Sequence, residues 1–226
     1  MTAEPGQLTL DLGHRPALGA EDFLVSRSNR AACDIVDRWP HWPHRSVMVV
    51  APPGAGKTHL ANVWRLRSGA AAYAAAALSE RDVAGASSAL LIEDLHAGVG
   101  EERALFHLLN LVREHKLSML LTSRLAPGEL EVALPDLRSR LRAVPVVAIN
   151  PPDEVLLKAV LVKHFADRQL AVEPHVINYI ALHMEQSMEA AAAIVGEIDA
   201  QALASHRKVT RALAAGVLAR RQGDPP

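Results

Sequence analysis

The sequence predicts an α/β chain in which a parallel five-stranded sheet, covered on both faces, is followed by a small all-helical unit. Three observations predict it. Short aliphatic runs alternate with segments of helical period between residues 47 and 149, and strands alternating with helices build a parallel sheet. After Pro151-Pro152 only helical patterns remain. Half of the 226 residues are hydrophobic but only 4% are aromatic, so the core is built from Ala, Val, Leu and Ile. That is a globular profile and excludes wholesale disorder.

Residues 1–20 hold Pro5, Gly6, Gly13, Pro16 and Gly19 without a sustained period and read as a flexible arm. An amphipathic helix is expected from Glu21 to Trp39, centred on Asn29 to Val36. Trp39-Pro-His-Trp-Pro-His44 is a stiff loop, because each proline pushes its predecessor out of helical geometry. Val47 to Val50 is a strand, followed by a Gly-rich loop and a helix from Thr58 to Arg67. Ala71 to Ala77 fits strand or helix and is read as strand; Ala89 to Ile92 is a strand ending in Glu93-Asp94. Glu101 to His115 starts acidic and repeats Leu105, Leu108, Leu109 and Val112 at helical spacing. Met119 to Leu121 is a strand ending in Thr122-Ser123, Pro135 to Leu141 a short helix, and Val144 to Ile149 the fifth strand. Helices are expected at Asp153 to Asp167, Pro174 to His183, Met188 to Ala204 and Thr210 to Arg220. The expected division is an arm at 1–20, an α/β domain at 21–150 and a helical domain at 151–222.

Twenty-four Lys and Arg against 25 Asp and Glu give a net charge of -1, which argues against nucleic-acid binding driven by bulk positive charge. The basic run His206-Arg-Lys208 with Arg211, Arg220 and Arg221 reads as a solvated helix surface, with touching DNA as the alternative. The single cysteine, Cys33, has no internal disulfide partner and sits in an apolar helical pattern, so it is expected buried in a reducing compartment. No apolar run follows Met1 and no segment suits a bilayer, so a cytoplasmic chain without a membrane partner is expected. Trp39, Trp42 and Trp64 read as core and loop packing.

The chemistry is concentrated in a few segments. Ala51-Pro-Pro-Gly-Ala-Gly-Lys-Thr58 lies between a strand and a helix. A helix that starts just after a Gly-rich turn aims unpaired N–H groups and its positive dipole end at one point, which suits a polyphosphate. Lys57 reaches the β- and γ-phosphates and the Thr58 hydroxyl ligates Mg²⁺. Leu90-Leu-Ile-Glu-Asp94 is an apolar strand ending in two carboxylates; Glu93 takes the metal side and Asp94 the water side. Thr122 and Ser123 end the next strand, where a polar side chain senses the γ-phosphate. Arg138, Arg140 and Arg142 form either a solvated face or a cation offered to a neighbour's nucleotide. In the arm, Gln7-Leu-Thr-Leu-Asp-Leu12 presents Leu8, Leu10 and Leu12 at alternate positions, as an extended peptide docking into apolar pockets does. An edge strand on its own domain is the alternative.

Together these segments resemble the AAA+ branch of P-loop proteins, and within it the family of DnaA-type replication initiators and their short Hda-type homologues. Asp22-Phe-Leu-Val-Ser-Arg-Ser-Asn-Arg30 looks like the family's adenine-flanking segment, with Val25 in it. Pro53-Gly-Ala-Gly-Lys-Thr-His-Leu60 matches its phosphate loop, so that Pro53, Gly54, Ala55, Gly56, Lys57, Thr58 and His59 are the implied nucleotide contacts. Leu91-Ile-Glu-Asp-Leu95 sits at its acidic motif and Leu121-Thr-Ser-Arg124 at its first sensor strand, with Thr122 as a contact. Pro135-Asp-Leu-Arg-Ser-Arg-Leu141 is similar to the finger motif and puts the finger at Arg140. The resemblance implies an AAA+ domain with a helical lid, ADP or ATP with Mg²⁺ held by Thr58 and Glu93, and an initiator as partner. It also implies a sliding clamp bound through Gln7, Leu8, Leu10 and Leu12, with only indirect or weak contact to DNA, and is compatible with a homodimer. The chain ends soon after the lid, so the initiator's C-terminal DNA-reading domain is not expected. One departure stands out: Met184-Glu-Gln-Ser-Met-Glu-Ala190 puts Glu189 where the family's lid carries an arginine, which disfavours efficient hydrolysis by this chain itself. A self-sufficient ATPase, such as a helicase loader, and a non-enzymatic adaptor are the competing expectations.

Overall fold

The computed structural model describes residues 24–84, 89–205 and 207–222. Strands β1 (Ser46–Val50), β2 (Ala71–Ala74), β3 (Leu90–Glu93), β4 (Met119–Ser123) and β5 (Val146–Ala148) pair in parallel in the order β2-β3-β4-β1-β5. The expected five-stranded parallel sheet is the one observed. Successive side chains of a strand point to opposite faces. Met48, Leu90, Ile92, Met119 and Leu121 share a core with α4 (Glu102–Glu114) and α5 (Pro135–Arg142). Val47, Val49, Leu91 and Leu120 share another with α1 (Arg30–Asp37) and α2 (Lys57–Ser68). Burial on both faces is why these strands read as unbroken aliphatic runs. Trp42 stacks on Trp64 with centroids 5.4 Å apart and Trp39 meets Trp64 edge-on at 6.4 Å, so the tryptophans pack as expected. Cys33 is buried, which raises its thiol pKa to about 11, with Asp37 and Asp34 adding to the effect.

Three elements differ from expectation. Helix α1 begins at Arg30; Leu24 to Ser26 is irregular and Arg27 to Asn29 a turn. The Asn29 side chain accepts from the Ser26 N–H and donates to the Leu24 carbonyl, both at 2.8 Å. Such local bonds offer the backbone an alternative to helix. The expected strand Ala71 to Ala77 stops at Ala74, and Ala75–Ala77 forms a 3₁₀ turn whose Ala75 carbonyl accepts from the Gly100 N–H at 2.9 Å. Alanine lacks the branched Cβ that favours an extended chain, so tertiary contacts decide. A short helix not expected from the sequence, α3 (Glu80–Ala84), follows. Its start is tied by Asp82, whose carboxylate accepts the Ser79 N–H at 2.8 Å, one half of a capping box.

Helices α6 (Glu154–Asp167), α7 (Pro174–His183), α8 (Met188–Ser205) and α9 (Arg211–Gln222) enclose a separate core that includes Leu161, Phe165, Ile180, Ile194 and Ile198. Asp153 caps α6 by accepting the Leu156 N–H at 2.8 Å, and Ser187 Oγ accepts the Ala190 N–H at 3.0 Å in the first turn of α8. This helical unit touches the α/β part at the Gly-rich loop, where the Met188 N–H donates to the Gly54 carbonyl at 2.7 Å. Among the described residues no helix is long and apolar enough to cross a membrane.

Candidate functional site

The carboxyl ends of β1, β3 and β4 converge, and in open α/β sheets ligands bind at that edge. The loop after β1 starts with the Ala51 N–H donating to the Ser123 carbonyl at 3.1 Å. It then turns at Gly54 (φ +68°) and Gly56 (φ +91°), a left-handed region that favours glycine. A Cβ at Gly56 would stand in open space, whereas one at Gly54 would fall 2.5 Å from the Ser187 Cβ. Helix α2 follows at once. The N–H groups of Lys57, Thr58 and His59 lie in its first turn and have no carbonyl one turn behind them within the helix. Together with the helix dipole they make a cradle for an anion.

Lys57 reaches inward from the first turn and is 8% exposed. Its Nζ donates to Asp94 Oδ1 at 2.5 Å and lies 3.5 Å from Thr122 Oγ1. Asp94 occupies the left-handed region (φ 59°, ψ 47°) just past β3, and its N–H donates to Thr122 Oγ1 at 3.0 Å. His96 Nδ1 stands 3.9 Å from Asp94 Oδ1. Burial alone would push the Asp94 carboxyl upward. The hydrogen bond and charge of Lys57, with smaller help from His96 and Arg124, hold it below the usual aspartate range. Burial and the neighbouring Asp94 raise Glu93 instead, against the pull of Lys57 and Arg65. Burial lowers His96, and the cations Arg124 and Lys57 add to that against the pull of Asp94.

Of the expected site residues, Pro53, Gly54, Gly56, Lys57, Thr58, His59 and Asp94 line one cleft of about 270 Å³, and Thr122 is buried beneath Lys57. Ala55 is buried in the core under the loop. Glu93 shares the sheet face of Leu91, toward α2, and is half-buried beside the cleft rather than in its lining. Val25 is 53% exposed, lies before α1 and does not line the cleft. Arg140 lies on α5, also outside it. Gln7, Leu8, Leu10 and Leu12 lie outside the described residues. The far wall comes from the helical unit: Met188, Glu189 and Ala192 of α8. His96 was not singled out by sequence reasoning, and Arg124 figured there only as the last residue of the sensor-strand motif. Each has a weak positional signal, Arg124 directly after the polar end of a strand and His96 two residues past the acidic pair.

The residues present suit a phosphate chain with a hard cation. Mg²⁺ on a nucleotide needs only one or two protein oxygens; of the two expected donors, the Thr58 hydroxyl lines the cleft and the Glu93 carboxylate would reach it from beside the lining. Among the described residues no cluster of three or more His, Cys, Asp or Glu could hold a metal unaided.

A five-stranded parallel sheet with the phosphate loop between β1 and α2 and a helical unit over that loop is the fold of an AAA+ P-loop domain. The chain is homologous in sequence to the chromosomal replication initiator DnaA. It is 27% identical to DnaA of Symbiobacterium thermophilum over 200 residues (76% of this chain, 44% of that protein). With DnaA of Cutibacterium acnes it shares 25% identity over 241 residues (92% and 47%). The chain therefore spans about half the length of the DnaA proteins it matches. No protein-family model matches it. Its fold resembles domain III of DnaA from Thermotoga maritima with a TM-score of 0.76, 19% identity, and coverage of 90% of this chain and 96% of that one. A RuvB mutant from Thermotoga maritima has a TM-score of 0.69 (16% identity, 87% and 71% covered). AMPPCP-bound DnaA from Aquifex aeolicus has a TM-score of 0.66 (20% identity, 81% and 65% covered).

Proposed function

We propose that this chain is an adenine-nucleotide-binding regulator of chromosomal replication initiation, which binds the DNA polymerase sliding clamp and stimulates hydrolysis of DnaA-bound ATP in trans. In this reading ADP or ATP lies in the Lys57 cleft. The first-turn amides of α2 and the Lys57 ammonium hold its phosphates, while Thr58 and Glu93 hold Mg²⁺. A bound nucleotide supplies negative charge where the loop, the sheet edge and α8 meet, and so ties the two parts of the chain together. The arm residues Gln7, Leu8, Leu10 and Leu12 tether the clamp.

The observation that carries the reading is the contrast within α5. Arg138 is anchored, its guanidinium donating to the Val132 carbonyl at 2.6 and 3.1 Å. For Arg140, partly exposed two positions on, no hydrogen bond or ion pair is found among the described residues. A guanidinium held at a surface but left unsatisfied suits the charge that develops on a partner's γ-phosphoryl group as water attacks it, and such a finger is worth about 10³–10⁵ in rate. Meanwhile α8 brings the carboxylate of Glu189 to this chain's own cleft, a poor arrangement for self-sufficient hydrolysis.

The test mixes ATP-loaded DnaA, clamp on DNA and this chain, and measures phosphate release. Wild type is expected to accelerate hydrolysis, Arg140→Ala to lose at least a hundredfold of that acceleration, and removal of residues 1–20 to lose the part of it that the clamp provides. Full stimulation by Arg140→Ala would sink the reading. The retained Lys57–Asp94 pair favours a second reading, a self-sufficient ATPase. That reading requires steady turnover by the chain alone, lost in Lys57→Ala.

A further inference from the structure

We propose that the groove between the end of α8 and the start of α9 holds the phosphate backbone of duplex DNA, and that it does so without reading the sequence. The proposal goes beyond the reading above. It concerns a surface that includes neither the nucleotide cleft nor the arm, and it is testable without nucleotide, clamp or initiator.

Charge patterning comes first. Between Ala200 and Gln222 stand five cations, Arg207, Lys208, Arg211, Arg220 and Arg221, and no Asp or Glu, although the whole chain carries a net charge of -1. Such a cluster acts on a polyanion only where the fold leaves it unneutralised. The last two carboxylates of α8 are matched to other cations: Arg221 holds Glu197, and Arg168 Nε lies 3.6 Å from Asp199 Oδ2. For the side chains of Arg207 and Lys208 no hydrogen bond or ion pair is found among the described residues, and both are exposed.

Geometry gathers these charges at one place. The Arg207 N–H donates to the Ala202 carbonyl at 3.1 Å, which ties the chain back to the end of α8, and Val209 is buried in the helical core. Arg207 and Lys208 are thereby displayed on the outside of the corner between the two helices. A groove of about 670 Å³ lies there, lined by Arg207, Lys208, Gln201, Ser205 and Thr210, with alanine and Leu213 as the remainder and no carboxylate. Thr210 Oγ1 accepts the Leu213 N–H at 3.3 Å, which leaves its own O–H to donate. Beside the groove, the Arg211 guanidinium sits 4.5 Å from the centre of the Tyr179 ring. Stacking on a ring fixes a guanidinium without cancelling its charge.

The lining also selects the polyanion. Cations, hydroxyls and an amide are the usual partners of phosphate oxygens, and a duplex presents one phosphate charge per about 1.7 Å of axis. The groove has no aromatic ring on which the bases of a single strand would stack. Arg207 and Lys208 lie on the irregular segment between the helices, so no helix carries them into a major groove to read base edges. The nucleotide cleft stays clear of this contact. Helix α8 runs from Met188 at the cleft to Ser205 at the groove, and at 1.5 Å per residue the two sites are about 25 Å apart.

The test follows the fluorescence anisotropy of a fluorescein-labelled, mixed-sequence duplex titrated with the full chain at several salt concentrations. Wild type is expected to bind with a dissociation constant of about 10⁻⁴–10⁻⁶ M, whatever the duplex sequence. Two or three phosphate contacts predict that log K falls with log salt with a slope of about -2 to -3. The double variant Arg207→Glu/Lys208→Glu should bind at least about tenfold more weakly and with a flatter slope. Its melting temperature should match wild type, because both side chains are exposed and have no partner to lose. Absence of duplex binding, equal binding by the double variant, or stronger binding of a single strand overturns the proposal. So does tighter binding of a poly-glutamate peptide or of phosphatidylglycerol vesicles, which would give the groove to a different polyanion. With neither initiator nor clamp present, none of these outcomes bears on the reading built on Arg140.

Discussion

Glu93 and Asp94 are adjacent carboxylates whose surroundings push them in opposite directions. Asp94 turns into the cleft and pairs with Lys57, while Glu93 is half-buried on the α2 face, where burial and the charge of Asp94 disfavour its ionised form. A carboxyl whose pKa is raised by folding favours the folded state while it is protonated. That contribution is complete below the unfolded value, about 4.3, and is lost as pH rises through the higher folded value. Glu93→Gln, which never ionises, should therefore be more stable than wild type at neutral pH. Its advantage in urea midpoint should widen upward from about pH 4 and then level off. A difference that stays constant from pH 4 to 8 would show that ionisation at 93 is not what costs stability. Keeping a destabilising carboxylate there is what a metal-facing role would demand.

At the level of elements, the phosphate loop and the start of α8 are fitted to each other. Met188 donates to the Gly54 carbonyl, and Ser187 packs so tightly that a Cβ on Gly54 would lie 2.5 Å from its own. Gly54 and Gly56 both have positive φ, but only Gly54 is crowded. Gly56→Ala should cost the left-handed strain alone, about 1–2 kcal/mol. Gly54→Ala adds overpacking worth about 1–3 kcal/mol more and should push α8 away from the loop. Urea denaturation of the two variants checks the order. Equal costs would mean that α8 yields without penalty and that the contact is loose.

At the scale of the whole molecule, the cleft is shared between two cores, one on the sheet and one inside α6 to α9. All three tryptophans, Trp39, Trp42 and Trp64, belong to the α/β part, so their fluorescence reports that part, whereas circular dichroism also reports the helical unit. Nucleotide at a hundredfold over its dissociation constant contributes about 2.7 kcal/mol, or roughly 5–10 °C in melting temperature for a chain of this size. Both signals should rise together by that amount. A shift in fluorescence alone would mean that the ligand touches only the loop and that α8 takes no part.

The amino-acid sequence by itself determined the sheet, the helical unit after Pro151-Pro152 and the phosphate loop. Those depend on local periodicity, on glycine at positive φ and on strands buried on both faces, and such signals survive without knowledge of distant neighbours. Lys57, Asp94 and Thr122 were legible as a candidate cluster for the same reason, and the fold brings the three into contact. Only the tertiary structure decided that Asp94 holds Lys57 while Glu93 faces α2, that α1 waits until Arg30, and that the alanines after Ala74 leave the strand. It also shows Arg124 and Glu189, placed at the site in the sequence only through a family resemblance, lining one cleft. Residues 57, 94, 124 and 189 lie far apart along the chain, and no local pattern encodes which of their charges will meet. Parallel register and the seating of α8 on the loop set that, because they fix through-space distances on which electrostatic pairing depends.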